Sequence, residues 1–202
     1  MTIKKTAAAL AFAAALSTGA HAATGANIIF TDNFNADATG LNAAPSGWSV
    51  SGGTVDIIGK GSDFDLLPGN GHYIDLDGST GQAGTLSLSF SGLADGEYTL
   101  EFALAGNQRV KGKEDVQVAF GGQNYAFSPA ENKGFQHHAV TGEAVNGVLT
   151  VSFHDLSADN VGALLDHVKI STNVSAVPEP ASGLLLLAGL GAVGFAARRR
   201  KV

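Results

Sequence analysis

Apolar side chains recur at every second position in four stretches of this chain. They are GTLSLSF (Gly84 to Phe90), EYTLEFALA (Glu97 to Ala105), DVQVAF (Asp115 to Phe120) and VLTVSFHD (Val148 to Asp155). A period of two belongs to a strand with one dry face and one wet face, not to an amphipathic helix. Seven weaker stretches read the same way: Asn27 to Phe30, Gly47 to Gly52, Thr54 to Gly59, His72 to Asp77, Gln123 to Phe127, Phe135 to Thr141 and Leu164 to Ile170. Turn residues divide them at Gly52-Gly53, Gly69-Asn70-Gly71, Asp95-Gly96, Gly121-Gly122 and Asn146-Gly147. No helical period of useful length and no fixed repeat interrupts this pattern. Short strands at such spacing predict an all-β fold, an antiparallel β-sandwich or jelly roll.

The two ends differ from this body. Lys4 and Lys5 precede an apolar run from Thr6 to Leu16, and Ala20-His21-Ala22 supplies small residues for cleavage. That order of parts predicts a secretory signal peptide over 1–22, exported by the Sec translocon and cut by signal peptidase near Ala22. At the other end, Ala181 to Ala197 carries no charge. As a helix it would rise about 25 Å, just short of a hydrocarbon core of about 30 Å. Arg198, Arg199, Arg200 and Lys201 follow at once. Cations stay on the cytoplasmic side, so this tail predicts a membrane segment with its C-terminus inside and the body on the exported side. Val177-Pro178-Glu179-Pro180 stands before it, held extended by two prolines. Expected domains are therefore 1–22, a sandwich over 23–176, and a tail over 177–202.

The terminal segments hold six of the twelve basic residues and one of the eighteen acidic ones. The body keeps six basic against seventeen acidic residues, a balance that repels phosphate and argues against nucleic acid as a partner. It suits solubility and divalent cations. Cysteine is absent, so no disulfide or thiol contributes.

Val177-Pro178-Glu179-Pro180, the short apolar segment and the terminal arginines together resemble the PEP-CTERM sorting signal of Gram-negative bacteria. The resemblance implies recognition by the membrane enzyme exosortase, cutting near Pro178-Glu179-Pro180, and release to the cell surface. It also implies association with exopolysaccharide and biofilm. A permanent single-span anchor is the plainer alternative.

Three stretches of the body, FTDNFNAD, GNGHYIDLDGSTGQAGTLS and NVGALLDHVKI, resemble the galactose-binding-like jelly roll of carbohydrate-binding modules. The final strand of such domains often reads Leu-Leu-Asp followed by Asp or Asn, where this chain has His167. The resemblance implies a structural calcium between the first and last strands, here involving Asp32 and Asp166.

A sugar needs an aromatic ring for its apolar face and polar groups for its hydroxyls. Trp48, Tyr73, Asn107 and Arg109 are the ligand-binding candidates, with core packing the favoured reading for Trp48. His137 and His138 are adjacent, so on a strand they face opposite ways and cannot share one ion. His154 and Asp155 diverge likewise and make no dyad. Asp63, Asp65, Asp75 and Asp77 could furnish the carboxyl pair of a glycosidase, but the chain lacks Gly-x-Ser-x-Gly, His-Glu-x-x-His and phosphate-cradling motifs. The sequence therefore favours a non-catalytic, exported glycan-binding or structural module, with a surface polysaccharide-acting enzyme as the alternative.

Overall fold

The computed structural model describes residues 27–109, 114–157 and 159–172. The expected signal peptide, the Val177 to Pro180 motif, the apolar tail and its cations all lie outside these residues. So do both expected domain edges.

Every stretch read as a strand forms one, and no helix occurs among the described residues. The strands are β1 (Asn27–Asp32), β2 (Ser49–Ser51), β3 (Asp56–Gly59), β4 (His72–Asp75), β5 (Thr85–Phe90), β6 (Gly96–Ala105), β7 (Val116–Phe120), β8 (Gln123–Phe127), β9 (Gln136–Ala144), β10 (Leu149–Asp155) and β11 (Leu164–Thr172). They form two antiparallel sheets. One has six strands in the order β3-β4-β11-β6-β9, with β1 also paired to β11. The other has five, in the order β2-β5-β10-β7-β8. The β7–β8 hairpin turns on Gly121 and Gly122 at φ 51° and 81°, the left-handed pair that a two-residue turn of this hand requires.

The core lies between the sheets. Tyr98, Leu100, Phe102 and Leu104 point inward from β6, while Leu149, Val151 and Phe153 point inward from β10. Aromatic rings pack edge-on at its centre: Phe102 lies 5.3 Å from Phe153 at 71° and 5.2 Å from Phe127 at 89°. Such offset contacts add to plain burial.

A second, smaller cluster sits on the other face of the six-stranded sheet. Ile58, Tyr73, Ala105 and Leu164 are neighbours in sequence of the core residues Ile57, Ile74, Leu104 and Leu165, so alternation turns them outward. Leu66, Leu67 and Phe135 close over them. The Leu67 amide donates to the Tyr73 hydroxyl at 2.8 Å, and that hydroxyl donates to Asp65 at 3.3 Å. Burial and the nearby Asp65 charge push the Tyr73 phenol up to about 12. The loop between β3 and β4 is thus strapped over one end of the sheet, and the other end stays open.

Tyr73→Phe keeps the ring and strands the Leu67 amide, so it should cost about 1–3 kcal/mol in a denaturant melt. Phe153→Ala, which empties the aromatic centre, should cost about 3–5 kcal/mol in the same measurement.

Candidate functional site

The open end of that outer face forms a groove of about 530 Å³ lined by Thr31, Asn33, Glu101, His137, His167 and Lys169 among others. Its shape depends on one irregularity. Ala103 pairs with Asp166 and Glu101 pairs with Lys169, so two steps on β6 match three on β11. The extra residue is a β-bulge, and His167 occupies it at φ 53°. Without the bulge, Asp166 and Lys169 would face opposite sides of the sheet. With it, both face the groove side, while Leu165, Val168 and Ile170 remain in the core.

The bulge turns the His167 backbone so that its own amide donates to Asp166 Oδ1 at 2.6 Å. The His167 ring brings Nδ1 to 2.8 Å from Asp166 Oδ2, near enough for an ion pair though not aligned as a hydrogen bond. Asp166 is fully buried, and burial raises its carboxyl above the usual range against the pull of His167. The His167 side chain itself is 55% exposed, and the His137 ring lies 6.3 Å away at 74°. Lys169 pairs with Glu101 across the strands. The groove therefore offers two imidazoles, an ammonium, a carboxylate and a hydroxyl on one rigid sheet.

The predicted site residues divide between this groove and other places. Asp32 and Asp166 do come near each other, since the Asp32 charge helps to raise Asp166. Asp32 Oδ1 accepts the Phe34 amide at 2.8 Å and Oδ2 accepts the Trp48 indole N–H at 2.9 Å. Among the described residues no three acids or histidines are placed to hold a metal, whereas calcium takes six to eight oxygens.

Trp48 and Tyr73 require correction as sugar-stacking rings. Trp48 packs between Phe30, Phe34 and Phe153 and is 6% exposed, and Tyr73 is fully enclosed under its loop. Both rings are held by hydrogen bonds to half-buried neighbours and are themselves buried, so neither shows a face to solvent. Asn107 is buried as well, donating to Glu114. Arg109 pairs with Asp75. His138 turns inward against Phe102 and Phe127, and His137 turns outward, as adjacent strand residues must. Burial, with the neighbouring His137, lowers the His138 imidazole below its ordinary value.

Asp75, Asp77, Glu114 and Asp155 form a buried carboxylate knot at one end of the sandwich. Its oxygens accept backbone amides. Asp77 Oδ2 accepts the amides of Asp159 and Asn160 at 2.9 Å each. Asp155 accepts those of Ser157 and Ala163, and Asp75 accepts those of Asp77 and Gly162. A Cβ on Gly162 would fall 2.6 Å from Asp75 Oδ1, so only glycine lets this loop close. Burial pushes Asp75 up to about 7 against the pull of Arg109, and burial raises Glu114 too.

The sequence reading missed Glu101, His137 and Lys169 as groove residues. The signal for His167 was visible, because Asp, Asn and His are the non-glycine residues that best tolerate left-handed backbone.

The architecture defines the fold class: an all-β antiparallel sandwich of the jelly-roll kind. The chain belongs to the family described as "Protein of unknown function (DUF642)", whose model matches residues 5–171. Residues 176–201 match the PEP-CTERM protein-sorting motif, which marks an exported protein that exosortase sorts to the cell surface. No curated protein matches the chain significantly. The CBM22-1 xylan-binding domain from Paenibacillus barcinonensis Xyn10C is similar in structure, with a TM-score of 0.50 and 15% identity over 77% of this chain and 100% of that one. So are the CBM22-1 and GH10 modules of Clostridium thermocellum xylanase 10B complexed with xylohexaose, at 0.50 and 12% over 75% of this chain. An exo-beta-1,3-galactanase from Phanerochaete chrysosporium aligns at 0.42 and 17% over 66% of this chain. The chain spans 29% of the xylanase and 29% of the galactanase.

Asp75 carries a testable sign. Its folded value lies above its unfolded one, so it stabilises the fold at low pH, and that contribution fades as pH rises from about 4 through about 7. The melting temperature of Asp75→Asn should therefore fall less than that of the parent between about pH 5 and about pH 8. Parallel curves would contradict the assignment.

Proposed function

We propose that the body binds an extracellular polysaccharide without cleaving it, through the groove on the six-stranded sheet. The observation that carries this reading is the bulge, which gathers His167, Lys169, Glu101 and His137 on one open, rigid face. Imidazole, ammonium and carboxylate groups so placed match the donors and acceptors of sugar hydroxyls. Strain at a non-glycine residue with positive φ is also a recurring mark of functional positions. The sorting motif fits this reading, since it brings the body to the surface where exopolysaccharide and biofilm matrix are laid down. Pro178, Glu179 and Pro180 serve as the cutting point, and Arg198, Arg199, Arg200 and Lys201 as the retaining cations.

A second reading rests on Asp75, whose raised carboxyl is what a glycosidase acid needs. Its burial and its saturation by amides and Arg109 oppose that role. Release of reducing ends that stops on Asp75→Ala would establish the enzyme instead.

His167→Gly tests the binding reading cleanly, because glycine accepts the left-handed backbone freely. The variant should melt at or above the parent temperature. Its affinity for the best oligosaccharide on a glycan array should drop about tenfold by calorimetry. Unchanged affinity would refute the groove. For the tail, replacing Pro178, Glu179 and Pro180 with alanine should leave uncut precursor in the inner membrane on a fractionation blot. Normal release would contradict the sorting role.

A further inference from the structure

The outer face of the five-stranded sheet differs from the rest of the surface. Alternation sends Leu86, Leu88, Val151 and Phe153 toward the core and leaves Thr85, Ser87, Ser89, Thr150, Ser152 and His154 facing out, beside Ser49 of β2. Strands β7 and β8 continue the face with Gln117, Ala119, Asn124 and Ala126. No Asp, Glu, Lys or Arg projects outward from any of the five strands. The six-stranded sheet, by contrast, carries Glu97, Glu101, Glu143 and Lys169 on its outer positions.

The registers place these groups in rows. Ser49 pairs with Ser87, Ser87 with Ser152, Ser152 with Ala119, and Ala119 with Asn124, one line across all five strands. Neighbouring strands stand about 4.8 Å apart, so the row is an evenly spaced ladder of short polar groups. Its serine end forms a shallow groove of about 550 Å³, which the loop at Gly47 borders.

Solvated strand faces ordinarily carry charges that keep them soluble and apart. A charge-free face on a body with seventeen acidic residues calls for a partner without charge. Each hydroxyl both donates and accepts, so the partner need only offer hydroxyls in turn. A second protein copy fits poorly, because interface cores favour aromatics, Met and Arg and are depleted in Ser. An anionic polymer would find no cation here. No Trp, Tyr or Phe ring faces out from these strands to grip a single sugar, and the outward His154 imidazole stands beside Thr85 and Gln117 rather than on the serine row, so the contact must be extended and multivalent.

We propose that this face is a second docking surface, which lays a neutral, hydroxyl-rich polysaccharide along the Ser49–Ser87–Ser152 row. It lies across the sandwich from the bulge groove, so one body can engage two chains and cross-link them.

Depletion of the purified full chain by microcrystalline cellulose tests this, with alginate beads as the anionic counterpart. Cellulose should deplete the parent, and the bound fraction should change less than about twofold between about 0.15 M and about 1 M salt. Ser152→Glu should lower the partition about tenfold, and Ser87→Ala with Ser152→Ala should lower it at least about threefold. Ser152→Thr should hold it within about twofold. Binding by both loss variants at the parent level overturns the proposal, as does preference for alginate. A parent dimer in sedimentation that Ser152→Glu abolishes would assign the face to a second copy and also overturns it. The groove reading is probed on the opposite face with soluble oligosaccharides, so either can fail alone.

Discussion

Strand β11 is the constraint on which this molecule turns. It pairs with β6 along one side, and with β4 and then β1 along the other, so three neighbours fix its position. Its side chains must serve two faces. Leu165, Val168 and Ile170 belong to the core, which a strict alternation cannot supply from positions three apart. The bulge at His167 absorbs the mismatch. It lets the core keep its apolar row while the outer face gains both Asp166 and Lys169. The strain at His167 is offset by the bond its amide makes to Asp166, so the fold and the groove rest on the same irregularity.

This explains how much could be read from the chain. Alternation is a local property, and it found the strands best where one face is buried and the other wet, as in β7 and β10. Where two adjacent residues are both buried, alternation said less. Tyr73 and Ile74, or Leu164 and Leu165, look alike in sequence, yet one of each pair serves the main core and the other serves the cluster under the β3–β4 loop. That loop is what buried Tyr73, and nothing local announces it. Trp48, just before β2 begins, was legible as core because a large ring gains most by burial, and Asp32 takes its N–H. The groove was not legible, since Glu101, His137 and Lys169 come from three strands and meet only through register.

The acid-rich composition had suggested metal or catalysis. In the folded chain many of those acids work as caps. Asp75, Asp77 and Asp155 accept backbone amides from the loop between β10 and β11, and Asp56 accepts the Asn42 amide at 2.6 Å. A chain without cysteine must hold long loops by other means. Carboxylates that accept several amides do so strongly, because each bond is charge-assisted. Taking such acids out of water is costly, however, and Arg109 is the cation that pairs with Asp75. The raised Asp75 carboxyl is the cost of that arrangement.

The two sheet faces follow from the same logic taken outward. Both sheets have their inner faces committed to one core, so only the outer faces are free to differ. On the six-stranded sheet the bulge and a covering loop break the regularity and concentrate charge in a groove. On the five-stranded sheet nothing breaks it, and the ladder of short hydroxyls runs unbroken from β2 to β10 before passing to Ala119 and Asn124. An irregular charged groove suits recognition of a particular sugar arrangement, because its groups are few and fixed. A regular neutral ladder suits contact with a polymer whose own hydroxyls repeat, because slipping along it costs little. On the two proposals made above, a body with one face of each kind would select on one side and adhere on the other.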